Sequence, residues 1–292
     1  MRKVRDILLR FLLRVWLHPR PDGLERLGSS YGGWWVPKWS LLPGNVAYCA
    51  GAGEDVTFDL ALHTAGLRVT TFDPTPRAIE HVGVVAPNDG HFRFVPVGWW
   101  DAEAVIRFYA PRNPLHVSHS IVNLQKSRDY FTARVATVRA LAEELGDTRI
   151  DIIKMDVEGA ELRVIASLVE DGPMPAVMCV EFDQPQSFRH VVRAISALKG
   201  KGFRAVKIEG WNLTLVRQAS RQMGELDYPH VGATATLGSD IGLRNEGGSL
   251  AFGGSAVLDH GSHLDPVSPE IASLKNEQGA ESGISVTAGG SG

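Results

Sequence analysis

Between residues 45 and 217, short apolar runs alternate with segments whose apolar residues recur every three or four positions. That alternation predicts a mainly parallel sheet covered by helices. Val46–Ala50 reads as the first strand. A helix follows from about Asp55 to Ala65, with Val56, Leu60 and Leu62 among its apolar residues and Gly66 as its stop. Leu67–Phe72 reads as the second strand, and Thr75-Pro76 opens a helix through Ile79 and Val82. Phe92–Val97, Ala104–Tyr109 and Ala133–Val138 read as further strands, the last followed by a short helix at Leu141–Leu145. Ile150–Met155 is apolar except for Asp151 and Lys154 and fits a central strand buried on both faces. Its helix is expected over Glu158–Leu168, and Pro175–Phe182 forms the next central strand. Ser187–Leu198 carries an amphipathic stripe of Phe188, Val191, Val192, Ile195 and Leu198. Phe203–Ile208 and Leu213–Val216 flank Gly210-Trp211-Asn212 as a closing hairpin.

The flanks follow other patterns, which divides the chain into 1–44, 45–217 and 218–292. At the N-terminus, Lys3, Asp6, Arg10, Arg14 and His18 share one helical face, and the rest of the surface is apolar, from Val4 to Trp16. Arg10 and Arg14 interrupt the apolar run, so neither a signal sequence nor a span of about 20 apolar residues is expected. Two readings stand: a helix docked on the domain or a partner subunit, which is favoured, and a basic helix lying on a membrane surface. Residues 21–44, with YGGWWVPKW and LLPGN, read as an irregular approach, with Trp34, Trp35 and Trp39 beneath or beside a pocket. Residues 111–131 lack a clear period and read as a functional or disordered loop. Beyond Val231 there is one Phe and no Trp or Tyr, too little to build a core, so this tail is expected to be disordered.

Composition narrows the picture modestly. A formal charge of -3 and the lack of basic clusters beyond the N-terminal helix and residues 126–139 argue against nucleic acid as a partner. Cys49 and Cys179 both lie in apolar runs, as buried free thiols of a reduced compartment would, and a cytoplasmic protein is expected. His116 and His119 have no further ligands nearby in sequence, so no metal site is expected.

Candidate chemistry concentrates in two stretches. VAYCAGAGED, Val46–Asp55, joins a strand to a helix through Gly51 and Gly53, and Asp73 closes the following strand. Strand, glycine turn, helix and acid together make a nucleotide pocket, in which the acid accepts hydrogen bonds from ribose hydroxyls. A dinucleotide fingerprint needs a third glycine at the position of Val56, which argues against a nicotinamide enzyme. The second stretch, KMDVEGAEL from Lys154 to Leu162, follows a central strand, so Asp156 and Glu158 are expected to face the same crevice. The plainer alternative is that Glu158 and Glu161 occupy a first helical turn with Asp156 as its cap.

Ile150–Glu161, IDIIKMDVEGAE, with VAYCAGAGED ahead of it, resembles the FkbM-type S-adenosylmethionine-dependent methyltransferases. EFDQP at 181–185 and GWNLTLVR at 210–217 also fit that family. The resemblance implies an α/β class I methyltransferase (Rossmann-like) fold: a mostly parallel seven-stranded sheet, helices on both faces and a C-terminal antiparallel hairpin. It also implies methyl transfer from S-adenosyl-L-methionine, commonly to an oxygen of a sugar, glycan or natural-product acceptor. Gly51 and Gly53 would lie under the methionine moiety, Asp73 would bind the ribose and Asp101 would sit near the adenine. Asp156 and Glu158 would line the crevice by the methyl group and acceptor. Cys49 stands where the family has an acid, and Asp55 replaces a small residue, so Asp55 or Glu54 is expected to supply the carboxylate for the cofactor's amino group. For the general base the order is Asp156, then His119, with Glu158 and His116 as further candidates, and transfer is expected to be metal-independent. The rival readings are a degenerate non-catalytic cofactor-binding domain and, against Val56, a nicotinamide-dependent oxidoreductase.

Overall fold

The computed structural model describes residues 2–21, 23–110, 121, 126–182 and 187–218. His116, His119, most of the 111–131 loop and the tail beyond residue 218 lie outside these residues, as do positions 183–185 of EFDQP.

Helix α1 spans Arg2–Leu17 and is followed by an antiparallel pair, β1 (Leu24–Leu27) and β2 (Trp34–Pro37). The alternating part then runs β3 (Val46–Ala50), α2 (Thr57–Thr64), β4 (Arg68–Phe72), α3 (Pro76–Val85) and β5 (Phe92–Val95). Three strands, β6 (Gly98–Trp99), β7 (Ala104–Tyr109) and β8 (Tyr130–Ala136), form a separate small sheet. The chain continues through α4 (Val138–Leu145), β9 (Ile152–Met155), α5 (Glu161–Asp171), β10 (Val177–Glu181) and α6 (Phe188–Gly200). It returns to the main sheet with β11 (Phe203–Glu209) and β12 (Asn212–Arg217).

The seven strands of the main sheet lie in the order β11-β12-β10-β9-β3-β4-β5. Pairings are parallel from β10 through β5, while β12 is antiparallel to both β10 and β11. This is the expected architecture, closing hairpin included. β3 and β9 are adjacent in space but far apart in sequence, and their carboxyl ends open a crevice where connections leave in opposite directions.

The central strands β3, β9 and β10 are buried on both faces. Val46, Tyr48 and Ala50 pack with residues of α4, α5 and α6, while Ala47 and Cys49 pack with α2, α3 and β2. Caps set the helix limits. The hydroxyl of Thr75 accepts from Ala78 N and precedes Pro76, and Thr137 does the same for α4 through Ala140 N.

Two expectations change. Residues 24–37 are not irregular: Leu24–Leu27 and Trp34–Pro37 pair as strands too short to show a period. Trp34 is in the core beside Val36, and Trp35 lies under the Lys207 ammonium, 4.1 Å from the ring centroid, with its Nε1 donating to Glu209. Strands 104–109 and 130–136 belong to the small sheet rather than the main one.

Candidate active site

One cleft of about 890 Å³, counted out to open solvent, lies over the carboxyl ends of β3, β4 and β9. Its lining includes Gly51, Gly53, Asp55, Asp73, Asp156 and Glu158, which the sequence singled out, and also Tyr31, Trp99, Phe108 and Lys154, which it did not.

The floor is the glycine turn. Gly51 has φ +85°, a left-handed conformation that disfavours side chains, and a Cβ there would overlap the carbonyl oxygen of Asp156. The turn is tied to the second strand through Asp73. Asp73 Oδ2 accepts N–H bonds from Ala52 at 2.9 Å and Gly53 at 3.0 Å, while Oδ1 accepts from Thr75 N at 2.8 Å. A carboxylate offers about four lone-pair sites, so Asp73 can organise the turn and still accept from a ligand hydroxyl.

Facing the turn is the segment after β9. Glu158 has φ +46° and Gly159 φ +93°, and the helix begins only at Glu161, with Ala160 as a cap lacking a side-chain bond. The plainer alternative therefore fails for two of its residues: Asp156 is not the cap and Glu158 is not in a first turn. Positive φ at a non-glycine residue costs of order 1–3 kcal/mol and tends to occur where a site imposes it. Glu161 is the acid in the first turn; it is fully buried and accepts from Gly159 N at 2.8 Å.

Beneath the cleft a polar row crosses the sheet. Thr71, Cys49, Lys154, Cys179 and Thr214 are register partners on β4, β3, β9, β10 and β12. The Lys154 ammonium donates to Gly51 O and lies 3.9 Å from Asp156 Oδ2. Burial acts to lower its pKa, but Asp156 and then Asp59 outweigh that and hold it above the ordinary lysine value. Asp59, buried on α2, accepts from the Thr71 hydroxyl at 2.6 Å. The charged residue interrupting the Ile150–Met155 run was the signal for this network.

Cys49 does not face the cleft. It is 1% exposed and packs on the α2 side of the sheet, the face opposite to that of Tyr48 and Ala50. The carboxylate beside it is that of Asp59, which is buried and outside the cleft lining. Burial first, and the charge of Asp59 second, push the Cys49 thiol well up, and burial raises Cys179 to about 12. Neither thiol is expected to react with iodoacetamide at mildly alkaline pH in the folded protein, and both should react in denaturant. Mass spectrometry would count the adducts, and fast labelling of folded Cys49 would refute its placement.

Asp55 lines the cleft, but its carboxylate is engaged with the protein. Oδ2 accepts from the Ser29 hydroxyl at 2.5 Å and Gly32 N at 3.2 Å, and Oδ1 accepts from Thr57 N at 3.0 Å. Burial tends to raise its pKa, yet these bonds together hold it below the usual carboxylate value. It pins the turn between β1 and β2 to the start of α2. Asp101 lies outside the cleft lining, 2.7 Å from the Arg163 guanidinium on α5. Trp99 occupies the wall instead; it is buried, and its Nε1 has no hydrogen-bond partner among the described residues. Among the described residues, no group of three or more His, Cys, Asp or Glu side chains is placed to hold a metal ion.

A family model described as the Methyltransferase FkbM domain matches residues 45–205. No curated protein sequence matches the chain. Among solved structures, the chain is similar to the fibrillarin pre-rRNA processing protein of Methanococcus jannaschii, with 8% identity and a TM-score of 0.37 over 61% of this chain and 69% of that one. It is similar to magnesium protoporphyrin IX methyltransferase from Synechocystis, crystallised with bound S-adenosylmethionine, with 14% identity and a TM-score of 0.34 over 60% and 71% of the two chains. The N-methyltransferase NodS of Bradyrhizobium japonicum matches at 13% identity and a TM-score of 0.32 over 61% and 88%. None of these three likenesses bears on the substrate.

Proposed function

The chain belongs to the FkbM methyltransferase family, and on that premise we propose that it methylates a hydroxyl oxygen of a sugar, glycan or natural-product small molecule with S-adenosyl-L-methionine. The observation that carries this reading is the meeting, in one cleft, of the glycine turn held by Asp73 with the carboxylates of Asp156 and Glu158.

When bound, S-adenosyl-L-methionine supplies an activated methyl group on a positively charged sulfonium. Asp73 holds the N–H groups of the turn and offers remaining lone pairs to the ribose hydroxyls. Trp99 adds an aromatic side chain to the wall of the cleft. Because the methyl group arrives activated, the protein's main task is to align the acceptor oxygen, an orientation effect. A hydroxyl must also lose its proton as it attacks, and Asp156 is the acid placed to receive it at the mouth of β9. Lys154 fixes that carboxylate relative to the turn, since one ammonium reaches both Gly51 O and Asp156.

Titration calorimetry with S-adenosylhomocysteine on the full chain tests the cofactor. Transfer of isotopically labelled methyl to a panel of hydroxyl-bearing acceptors tests the reaction. In Asp156→Asn the cofactor affinity is expected to stay within about two-fold while turnover falls roughly 100-fold or more. Unchanged turnover would remove Asp156 as the base, and labelling confined to nitrogen acceptors would remove the oxygen assignment.

A further inference from the structure

Helix α1 is apolar on two opposite sides, and only one of them is used by the domain. Leu13, fully buried, joins the core on the α5–α6 side with Leu17 packed against it, and Asp6 Oδ1 accepts from Trp211 Nε1 at 2.7 Å. The Lys199 ammonium lies 4.8 Å from the Trp16 ring centroid, closing the far end of the contact. These contacts confirm that the helix docks on its own domain. They leave the other side open: Ile7, Leu8, Phe11, Leu12 and Val15 follow one another at helical spacing and point outward, with Ile7 61% and Phe11 60% exposed. Scattered exposed apolar residues are ordinary, whereas five contiguous ones on a single helix mark a contact surface.

Charge says what that surface meets. The helix contains Arg2, Lys3, Arg5, Arg10 and Arg14 against one acid, Asp6. Asp6 is already engaged with Trp211 and with Arg10, 2.5 Å away. At about 100° per residue, Arg10 and Arg14 border the outward apolar stripe on one side. An apolar stripe edged by cations matches a bilayer interface, where acyl chains take the stripe and anionic headgroups the cations. A second copy of the helix would bring like charges together, which disfavours self-pairing through this face. No helix among the described residues is long and apolar enough to cross a membrane, so the fitting geometry is one of lying flat.

We propose that the outward face of α1 seats the protein on an anionic lipid surface. The seat is separate from the cleft, and its side chains take no part in the site described above, so the proposal does not depend on the methyl acceptor.

The test is co-sedimentation of the full chain with phosphatidylcholine vesicles with and without phosphatidylglycerol, at low and high salt. The chain should pellet with the anionic vesicles, bind neutral ones roughly ten-fold more weakly, and release as salt screens the cations. The double variant Ile7→Glu, Phe11→Glu should lose binding by about ten-fold or more with its melting temperature unchanged, because both side chains are solvent-exposed. Arg14→Glu should weaken binding to anionic vesicles while leaving the neutral arm as it was. The proposal is overturned if the chain stays in the supernatant, if neutral and anionic vesicles bind it equally, or if the double variant pellets like the parent. A concentration-dependent dimer abolished by the same double substitution would assign the face to a second copy instead.

Discussion

Gly51→Ala is expected to cost the chain about 4 kcal/mol or more of stability, a large share of the roughly 5–15 kcal/mol that holds a typical domain together. Two penalties coincide at that position. The left-handed backbone at φ +85° disfavours a side chain by about 1–2 kcal/mol. The new methyl would also overlap the backbone carbonyl of Asp156, at the strand end that Asp156 N ties to Ala50 O. β3 and β9 would have to separate where the cleft has its floor. Gly44→Ala isolates the first penalty, since Gly44 has φ +84° with open space around its would-be Cβ. Thermal or urea unfolding of the two variants should show a small loss for Gly44→Ala and a loss several times larger for Gly51→Ala. Equal losses would mean that the close approach of β3 to β9 is misplaced.

Asp73→Ala is expected to lower affinity for S-adenosylhomocysteine about 100-fold, close to 2.7 kcal/mol. Three backbone N–H groups lose their acceptor together, those of Ala52, Gly53 and Thr75. A hydrogen bond to a charged group contributes about 1.5–3 kcal/mol, so the turn should lose its shape before the ribose contacts are counted. Asp101→Ala is the matched control. Its carboxylate is engaged with a mostly exposed Arg163 outside the cleft, and cofactor affinity should hardly change. Calorimetry on both variants separates a site organised by Asp73 from one that reaches Asp101. Unimpaired binding in Asp73→Ala would place the cofactor elsewhere.

Most of the main sheet was legible because its central strands are short apolar runs bounded by turn residues, and such runs are hard to accommodate in any other way. The start of α5 was not. Acids and a glycine after an apolar strand suit a helix start, and nothing local distinguishes Glu158 in a first turn from Glu158 in a left-handed bend. The role of Asp55 was hidden for a different reason: Ser29 and Gly32 lie more than twenty residues before it, and only the fold brings them to its carboxylate. Cys49 was readable in principle. Counting alternate positions along β3 puts it with Ala47 on the α2 face, among buried apolar residues. Trp99 belongs to no recognisable motif, and its place in the wall depends on the small sheet, whose strands are too exposed to reveal their pairing.

The lysine beneath the cleft also bears on how the chain avoids misfolding. Strands buried on both faces carry little information about alignment, because one apolar residue replaces another when neighbours slide past each other. β9 escapes this ambiguity. Sliding it by one residue would exchange Lys154 with Ile153 or Met155 and drive an ammonium among Tyr48, Met178 and Val180, far from Asp59. A buried charge deprived of its partners costs several kcal/mol, enough to empty the shifted alignment. One cation in an otherwise greasy strand thereby acts as an index mark for the three central strands, and the cleft above inherits its alignment from that mark.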